Sequence, residues 1–291
     1  MVAIYCSNGF AIESDVILYG WRIVQNPDGQ MIQIRLTSGH FDVSYDEESW
    51  PYIYSGDGYM YFVWYERIAI RVSKSYTVIE YMLKKKEYAN EIVFALNFVL
   101  AFIGPFFNRL PVHACTIATN TNEAVIILGD SGIGKSTLLR GLLENGYDYI
   151  SEEVAFVDAS SKMVYRSNDA IRIKTESYDK HDGDELLTIV GDKVSFWNSK
   201  YSTSVQRAKL KAICMVKRDK VVESELEELS KQEMVKCILG NYLYVKTVLN
   251  YMPFVKMVDM VARMLNDTRT VLYRIAEFPD INVILDIIRS H

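Results

Sequence analysis

Cysteine is scarce in this 291-residue chain, and the four present, Cys6, Cys115, Cys214 and Cys237, stand far apart. No C-x-x-C pair occurs and no histidine sits at ligand spacing from them, so neither a zinc site nor a disulfide framework is expected. They read as buried, reduced thiols. An excess of positive charge is also missing: 37 Asp and Glu against 32 Lys and Arg give a formal charge of -5. No general basic field exists to hold a phosphodiester backbone, and nucleic acid is not an expected partner. Long hydrophobic runs are absent too. Residues 92 to 107 are strongly apolar, but they fall short of the ~20 residues a span needs, and Asn97, Gly104 and Pro105 interrupt them. A buried helix behind the solvated run Lys84-Lys85-Lys86 is expected there, with no membrane partner. The opening Met1-Val2-Ala3-Ile4-Tyr5 has no basic n-region and no long apolar h-region, so the cytoplasm is the expected compartment. Internal repeats and low-complexity tracts are absent as well.

What is present is a globular composition, 49% hydrophobic and 24% charged, with a chain long enough for a substantial core in one large domain or two. Its most informative segment is Gly129-Asp130-Ser131-Gly132-Ile133-Gly134-Lys135-Ser136, followed by Thr137. The pattern is G-x-x-x-x-G-K-[ST], a phosphate loop. Its context fits: residues 124 to 128 are a short apolar run rich in β-branched side chains. Leu138, Leu139, Leu142 and Leu143 then follow at helical spacing, with Gly146 as a stop. Glycines let successive backbone N–H groups turn onto phosphate oxygens, and the helix N-terminus adds partial positive charge. Lys135 is expected to reach the β- and γ-phosphates, and the Ser136 hydroxyl to ligate Mg²⁺.

Around this segment the chain divides into a β-rich N-terminal unit, residues 1 to 87, and a phosphate-loop domain, residues 88 to 291. In the first, short alternating runs such as 31 to 36 and 59 to 64 are separated by turn signals at Asn26-Pro27-Asp28-Gly29 and Gly56-Asp57-Gly58, which predicts antiparallel strands. Its aromatic residues are interspersed with Asp42, Asp46, Glu47, Glu48 and Asp57, so core and cross-strand packing is the better reading than a stacking platform for single strands. In the second, the pattern predicts a helix over roughly 88 to 107, strands over 111 to 118, 147 to 150, 154 to 157, 211 to 217 and 271 to 275, and helices over 231 to 239, 254 to 265 and 281 to 288. Ser230 with Glu233 forms a capping box. Residues 176 to 185 are polar and turn-rich and read as a mobile loop.

The parts of a switch GTPase or motor ATPase are not found. There is no N-K-x-D guanine reader, and the strand over 212 to 216 runs into Lys217-Arg218-Asp219 where an acidic metal partner is required. A Val-His dipeptide at Val112-His113, the string Gly-Asp-Ser-Gly-Ile-Gly-Lys-Ser, and Asn-Gly-Tyr-Asp-Tyr-Ile-Ser-Glu-Glu-Val ending in Val154 instead resemble the catalytic domain of HPr kinase/phosphorylase. The resemblance extends over residues 109 to 288. It includes the softer landmarks Ala170-Ile171-Arg172-Ile173, Gly191-Asp192-Lys193, Leu229 to Glu233 and Leu272 to Asp280. The first 85 residues look like the β-rich front end of compact relatives, some of which phosphorylate serine in precursor peptides of lasso-type natural products.

The fold this resemblance implies is α/β, HPr kinase C-terminal domain-like, with a β-rich N-terminal unit. The activity it implies is a Mg-ATP-dependent kinase acting on a serine-type hydroxyl of a small protein or peptide. ATP and Mg²⁺ are the expected cofactors, and assembly into a homo-oligomer is left open. The family's Asp pair matches Glu152 and Glu153. One carboxylate of such a pair takes the hydroxyl proton, and a nearby one helps to hold the metal, here assigned to Ser136 with Glu153. His113 matches the family's strand histidine near the phosphates, and Arg172 and Arg274 are weaker candidates for a phosphate clamp. His40, His181 and His291 carry no motif. Two alternatives stay open: a catalytically inactive nucleotide-sensing protein in which the Glu-Glu pair has lost base geometry, and a bifunctional kinase/phosphorylase that also removes phosphate from serine.

Overall fold

A computed structural model describes residues 2–27, 31–44, 51–64, 67–167, 171–175, 178, 180–190, 193–201, 203–219, 224–241, 248–277 and 279–289; for 87, 90, 172–174, 187–190 and 193 it describes the backbone only. The chain is mixed α/β and forms two compact units, Met1–Ile103 and Gly104–His291. Their border lies later than the 87/88 division expected from sequence. The reason is the apolar helix α1 (Ile92–Ile103), whose Phe98 and Phe102 meet Phe62 and Trp64 edge to face within the first unit.

The described residues of that first unit form eight strands: β1 (Ala3–Ser7), β2 (Phe10–Ser14), β3 (Arg22–Ile23), β4 (Ile32–Ser38), β5 (Tyr52–Gly56), β6 (Tyr59–Trp64), β7 (Ile68–Ser73) and β8 (Val78–Leu83). They form one sheet in the order β3-β1-β2-β4-β8-β7-β6-β5. The turn at 56 to 58 is a tight hairpin: Gly56 faces Tyr59, and Asp57 and Gly58 both have positive φ, the geometry whose twist matches the flanking strands. The turn at 26 to 29 lies partly outside the described residues. A wholly antiparallel sheet was expected, and the structure corrects this, because β4 runs parallel to both β2 and β8. Parallel neighbours need a long connection instead of a hairpin, so residue alternation alone cannot reveal them. The aromatic residues pack within the sheet: Tyr54 stacks on Tyr61 at 4.7 Å between centroids, and Arg71 lies over Phe41 and Tyr59.

The second unit holds β9 (Arg109–Val112), β10 (Ala114–Ala118), β11 (Glu123–Gly129), α2 (Lys135–Glu144), β12 (Asp148–Ser151), β13 (Ala155–Asp158) and β14 (Met163–Tyr165). After them come β15 (Ile171–Lys174), β16 (Asp184–Val190), β17 (Lys193–Asn198), β18 (Arg207–Arg218) and β19 (Glu225–Glu228). Helices α3 (Lys231–Gly240) and α4 (Phe254–Leu265), strand β20 (Arg269–Ile275) and helix α5 (Ile281–Arg289) follow among the described residues. Strand β18 organises this sheet. One edge of β18 pairs in parallel with β11; on the other, its start meets β14 antiparallel and its end meets β20 in parallel. Cys115, Ile117, Val125, Ile127, Cys214, Val216, Val271 and Tyr273 alternate onto one face and bury it against Leu138, Leu139, Leu142 and Leu143 of α2 and Ile284, Leu285 and Ile287 of α5. Burial of each such side chain is worth about 1.5–3 kcal/mol. The Ser230 side chain accepts from the Glu233 amide while the Glu233 carboxylate accepts from the Ser230 amide, a complete capping box at the start of α3.

Strands β15, β17 and β16 make a separate three-stranded antiparallel sheet. The mobile loop expected over 176 to 185 is corrected at its far end. Asp184 is buried and accepts from Arg140 of α2, from Asn198 and from the His181 amide. Residues 176, 177 and 179 of that segment lie outside the described residues. Composition shows polarity, and it does not show that a polar residue has been taken inside by an arginine.

Candidate functional site

The three parallel strands β11, β18 and β20 run to a common edge of the sheet. At that edge β11 breaks into the loop of residues 130 to 134 and resumes as α2. Two features of the loop explain its glycines. A Cβ on Gly129 would lie 2.8 Å from the Val216 carbonyl oxygen, since β18 runs directly alongside. Gly134, at the cap of α2, has φ of 105° and would bring a Cβ to 3.1 Å from Pro279. Ile133 is buried in the α2 core and fastens the loop, while Asp130, Ser131, Gly132 and Thr137 are exposed around it.

Lys135 is folded onto its own loop, its Nζ donating to the carbonyls of Gly129 at 2.6 Å and Asp130 at 3.0 Å. It is only 9% exposed. Behind it, the wholly buried Cys115 thiol donates to the Lys135 carbonyl at 3.6 Å. Burial pushes that thiol up to about 12, with the Glu152 charge adding to the rise and Lys135 opposing it. Cys115 is therefore a packing group in the site's back wall.

The central contact joins the loop to the strand corner after β12. Ser136 Oγ donates to Glu152 Oε1 at 2.6 Å, and Glu152 is 8% exposed. The topology accounts for the meeting: β10 lies between β11 and β12, and its register pairs Ala114 with Leu128 and Thr116 with Ser151. Residue 152 thus reaches the same edge as the loop. Its neighbour Glu153 is half-buried, and its carbonyl accepts from His113 Nδ1 at 2.9 Å. A carbonyl only accepts, so Nδ1 carries the hydrogen. The His113 amide donates in turn to the Asn241 carbonyl at 2.8 Å, which fixes the junction between β9 and β10.

Most of the sequence-derived site residues are thus brought together at one edge. The pairing within the carboxylates differs from expectation: the partner of Ser136 is Glu152, where Glu153 had been assigned. Arg274 does not join the site as a clamp, because Asp219 and Glu227 each hold it at 2.8 Å. The side chain of Arg172 lies outside the described ones. His181 sits 3.0 Å from Glu144, the last residue of α2. Sequence reading gave no role to Arg218, whose guanidinium donates twice to the Glu277 carbonyl, two residues before the Pro279 that stands close to Gly134. Its only signal was the Lys217-Arg218 pair following an apolar strand.

The donor set suits Mg²⁺. A serine hydroxyl and a carboxylate oxygen are hard ligands, and Mg²⁺ takes one or two such groups plus phosphate oxygens instead of a full protein cage. No cluster of three or more acidic, histidine or cysteine ligands occurs among the described residues.

No family model matches the chain. Among curated proteins, one of the subunits of the aspartyl/glutamyl-tRNA(Asn/Gln) amidotransferase from Streptococcus sanguinis and its counterpart from Streptococcus gordonii are each 24% identical over 168 residues, 58% of this chain and 33% of the relative. The chain thus spans about a third of the length of these curated relatives. Among solved structures, it is similar to the Hpr(Ser) kinase/phosphatase from Coxiella burnetii at 12% identity, covering 62% of this chain and 89% of that one with a TM-score of 0.33. Likenesses this distant carry no function across, and the chemistry rests on the site's own geometry. No helix among the described residues is long and apolar enough to cross a membrane.

Proposed function

We propose that this protein is a Mg-ATP-dependent phosphotransferase that moves the γ-phosphoryl group to a serine-type hydroxyl on a peptide or small protein. The observation that carries the reading is the 2.6 Å hydrogen bond from Ser136, the hydroxyl of the phosphate loop, to the buried carboxylate of Glu152. A glycine-rich loop that merely turns the chain has no need to hold its serine against a buried acid.

The residues divide the work as follows. Backbone N–H groups of residues 131 to 136 and the N-terminus of α2 hold the phosphates. Lys135 leaves the Gly129 and Asp130 carbonyls to meet the phosphate oxygens, exchanging two neutral acceptors for charged ones. Ser136 and Glu152 hold Mg²⁺, which when bound neutralises charge on the transferring group. Glu153 is the base that accepts the hydroxyl proton, a role worth typically 10²- to 10⁴-fold. His113 fixes the 152–153 corner through the Glu153 carbonyl, so it acts as a positioning residue. Since Glu152 and Glu153 follow β12, on the β10/β12 side of the loop, the acceptor enters from that side. A precursor peptide of the lasso type is the narrowest form of this reading.

Single-turnover incubation of the protein with Mg²⁺, γ-labelled ATP and a serine-containing peptide tests it. Label in acid-stable phosphoserine is expected. Tight Mg-ATP binding with no label in any peptide or in free phosphate would favour the nucleotide-sensing alternative.

A further inference from the structure

The phosphate loop has two flanks. On the β10/β12 flank stand His113, Glu152 and Glu153. On the other, Gly129 pairs with Val216, so Lys217 and Arg218 begin where the loop begins, and Arg218 pairs with Ile275 at the end of β20. That second flank is held firmly. Arg218, exposed at the surface, donates from Nε at 3.2 Å and Nη2 at 2.9 Å to the one Glu277 carbonyl. The Asp280 amide donates to the Tyr273 hydroxyl at 2.9 Å, and the Asp219 amide to the Ile275 carbonyl at 3.0 Å. Pro279 is close enough to the loop that a Cβ on Gly134 would lie 3.1 Å from it.

A triphosphate is linear, and the metal-bearing end belongs beside Ser136 and Glu152. Its ester end must then leave across the loop. Ligands of parallel α/β sheets lie over the carboxyl ends of the strands, and the strand ends on the far flank are those of β18 and β20. We propose that Arg218 and Pro279 form the wall on which the nucleoside of the triphosphate donor rests, the guanidinium plane stacking on the base. With Nε and Nη2 both bonded to the Glu277 carbonyl, the Arg218 plane is held in a set orientation, which suits stacking better than an edge code. Stacking is tolerant of base identity, so the wall separates nucleotides from bare polyphosphate more than ATP from GTP. The assignment rests on the triphosphate reading of the loop.

Calorimetry with Mg²⁺ and three ligands, ATP, GTP and inorganic tripolyphosphate, tests both layers. Arg218→Lys keeps the charge and removes the plane. It is expected to weaken ATP and GTP alike by about 5- to 30-fold, the equivalent of roughly 1–2 kcal/mol, while tripolyphosphate affinity stays within about twofold of wild type. Unchanged ATP binding, or an equal loss for tripolyphosphate, overturns the wall and leaves the loop assignment standing. Wild-type protein that binds none of the three overturns both. Should Arg218→Lys lower the melting temperature, Pro279→Ala gives the second measurement: selective weakening of the two nucleotides supports the wall, and equal or no effect across the three ligands removes it.

Discussion

Arg140 of α2 and Asp184 at the head of β16 form a buried ion pair, with Nη2 3.0 Å from a carboxylate whose side chain has no exposure. Forty-four residues separate them in the chain. The pair ties the small three-stranded sheet to helix α2, and Asn198, the His181 amide and the Tyr178 hydroxyl also donate to the carboxylate.

Breaking this pair from one side leaves an uncompensated buried charge. Arg140→Ala is expected to destabilise the protein by about 3 kcal/mol, and Asp184→Asn by less, because the amide keeps part of the network. Urea unfolding of the two single variants and the double variant measures the coupling. Additive effects would show that the two side chains do not act as a pair.

The same carboxylate gives a pH dependence. Burial works against the charged form of Asp184, but hydrogen bonds from Asn198 and the His181 amide, with the Arg140 charge, outweigh it and hold the group below the usual aspartate value. Its contribution is therefore complete above the unfolded value of about 3.9 and is lost as pH falls through the lower folded value. Melting temperatures measured from pH 6 downward should fall more steeply for wild type than for Asp184→Asn below about pH 4.

The two glutamates are expected to separate in role. On the proposed division of roles, Glu152→Gln should weaken triphosphate binding in the presence of Mg²⁺ and leave metal-free binding nearly unchanged, since it removes the charge proposed to hold the metal. Glu153→Gln should bind Mg-ATP normally and lose about 10²- to 10⁴-fold in transfer. Parallel calorimetry and single-turnover rates decide it, and the opposite pattern would restore the metal to Glu153.

The loop glycines should not be equivalent. At Gly132 the surrounding space is open and φ is 79°, so alanine is expected to cost about 1–2 kcal/mol through backbone strain alone. Gly129→Ala must additionally move the Val216 carbonyl, which stands 2.8 Å from the new Cβ, and should cost more. Thermal melts rank the two. Equal losses would mean that β18 gives way without penalty.

The glycine-rich turn between β11 and α2, that helix and the capping box were legible in the sequence because each is a local device: glycine spacing, leucine periodicity and a serine three residues before a glutamate all act within one or two turns of chain. Helix α4 and the strands β11 and β18 followed from the same short-range periodicities. The parallel pairing of β4 was not legible, since one extended strand presents the same alternation to a parallel or an antiparallel neighbour. Nor was the choice between Glu152 and Glu153. Both residues lie in the bend after β12, and which of them meets Ser136 depends on the register of β12 against β10, including the irregularity after Thr116. The sequence by itself determined the glycine-rich turn between β11 and α2 and which side chains it carries. Tertiary structure alone decided which acid faces it, that Asp184 is buried on Arg140, and that Arg218 stands at its far flank, because each of those depends on strands brought into register by long-range packing.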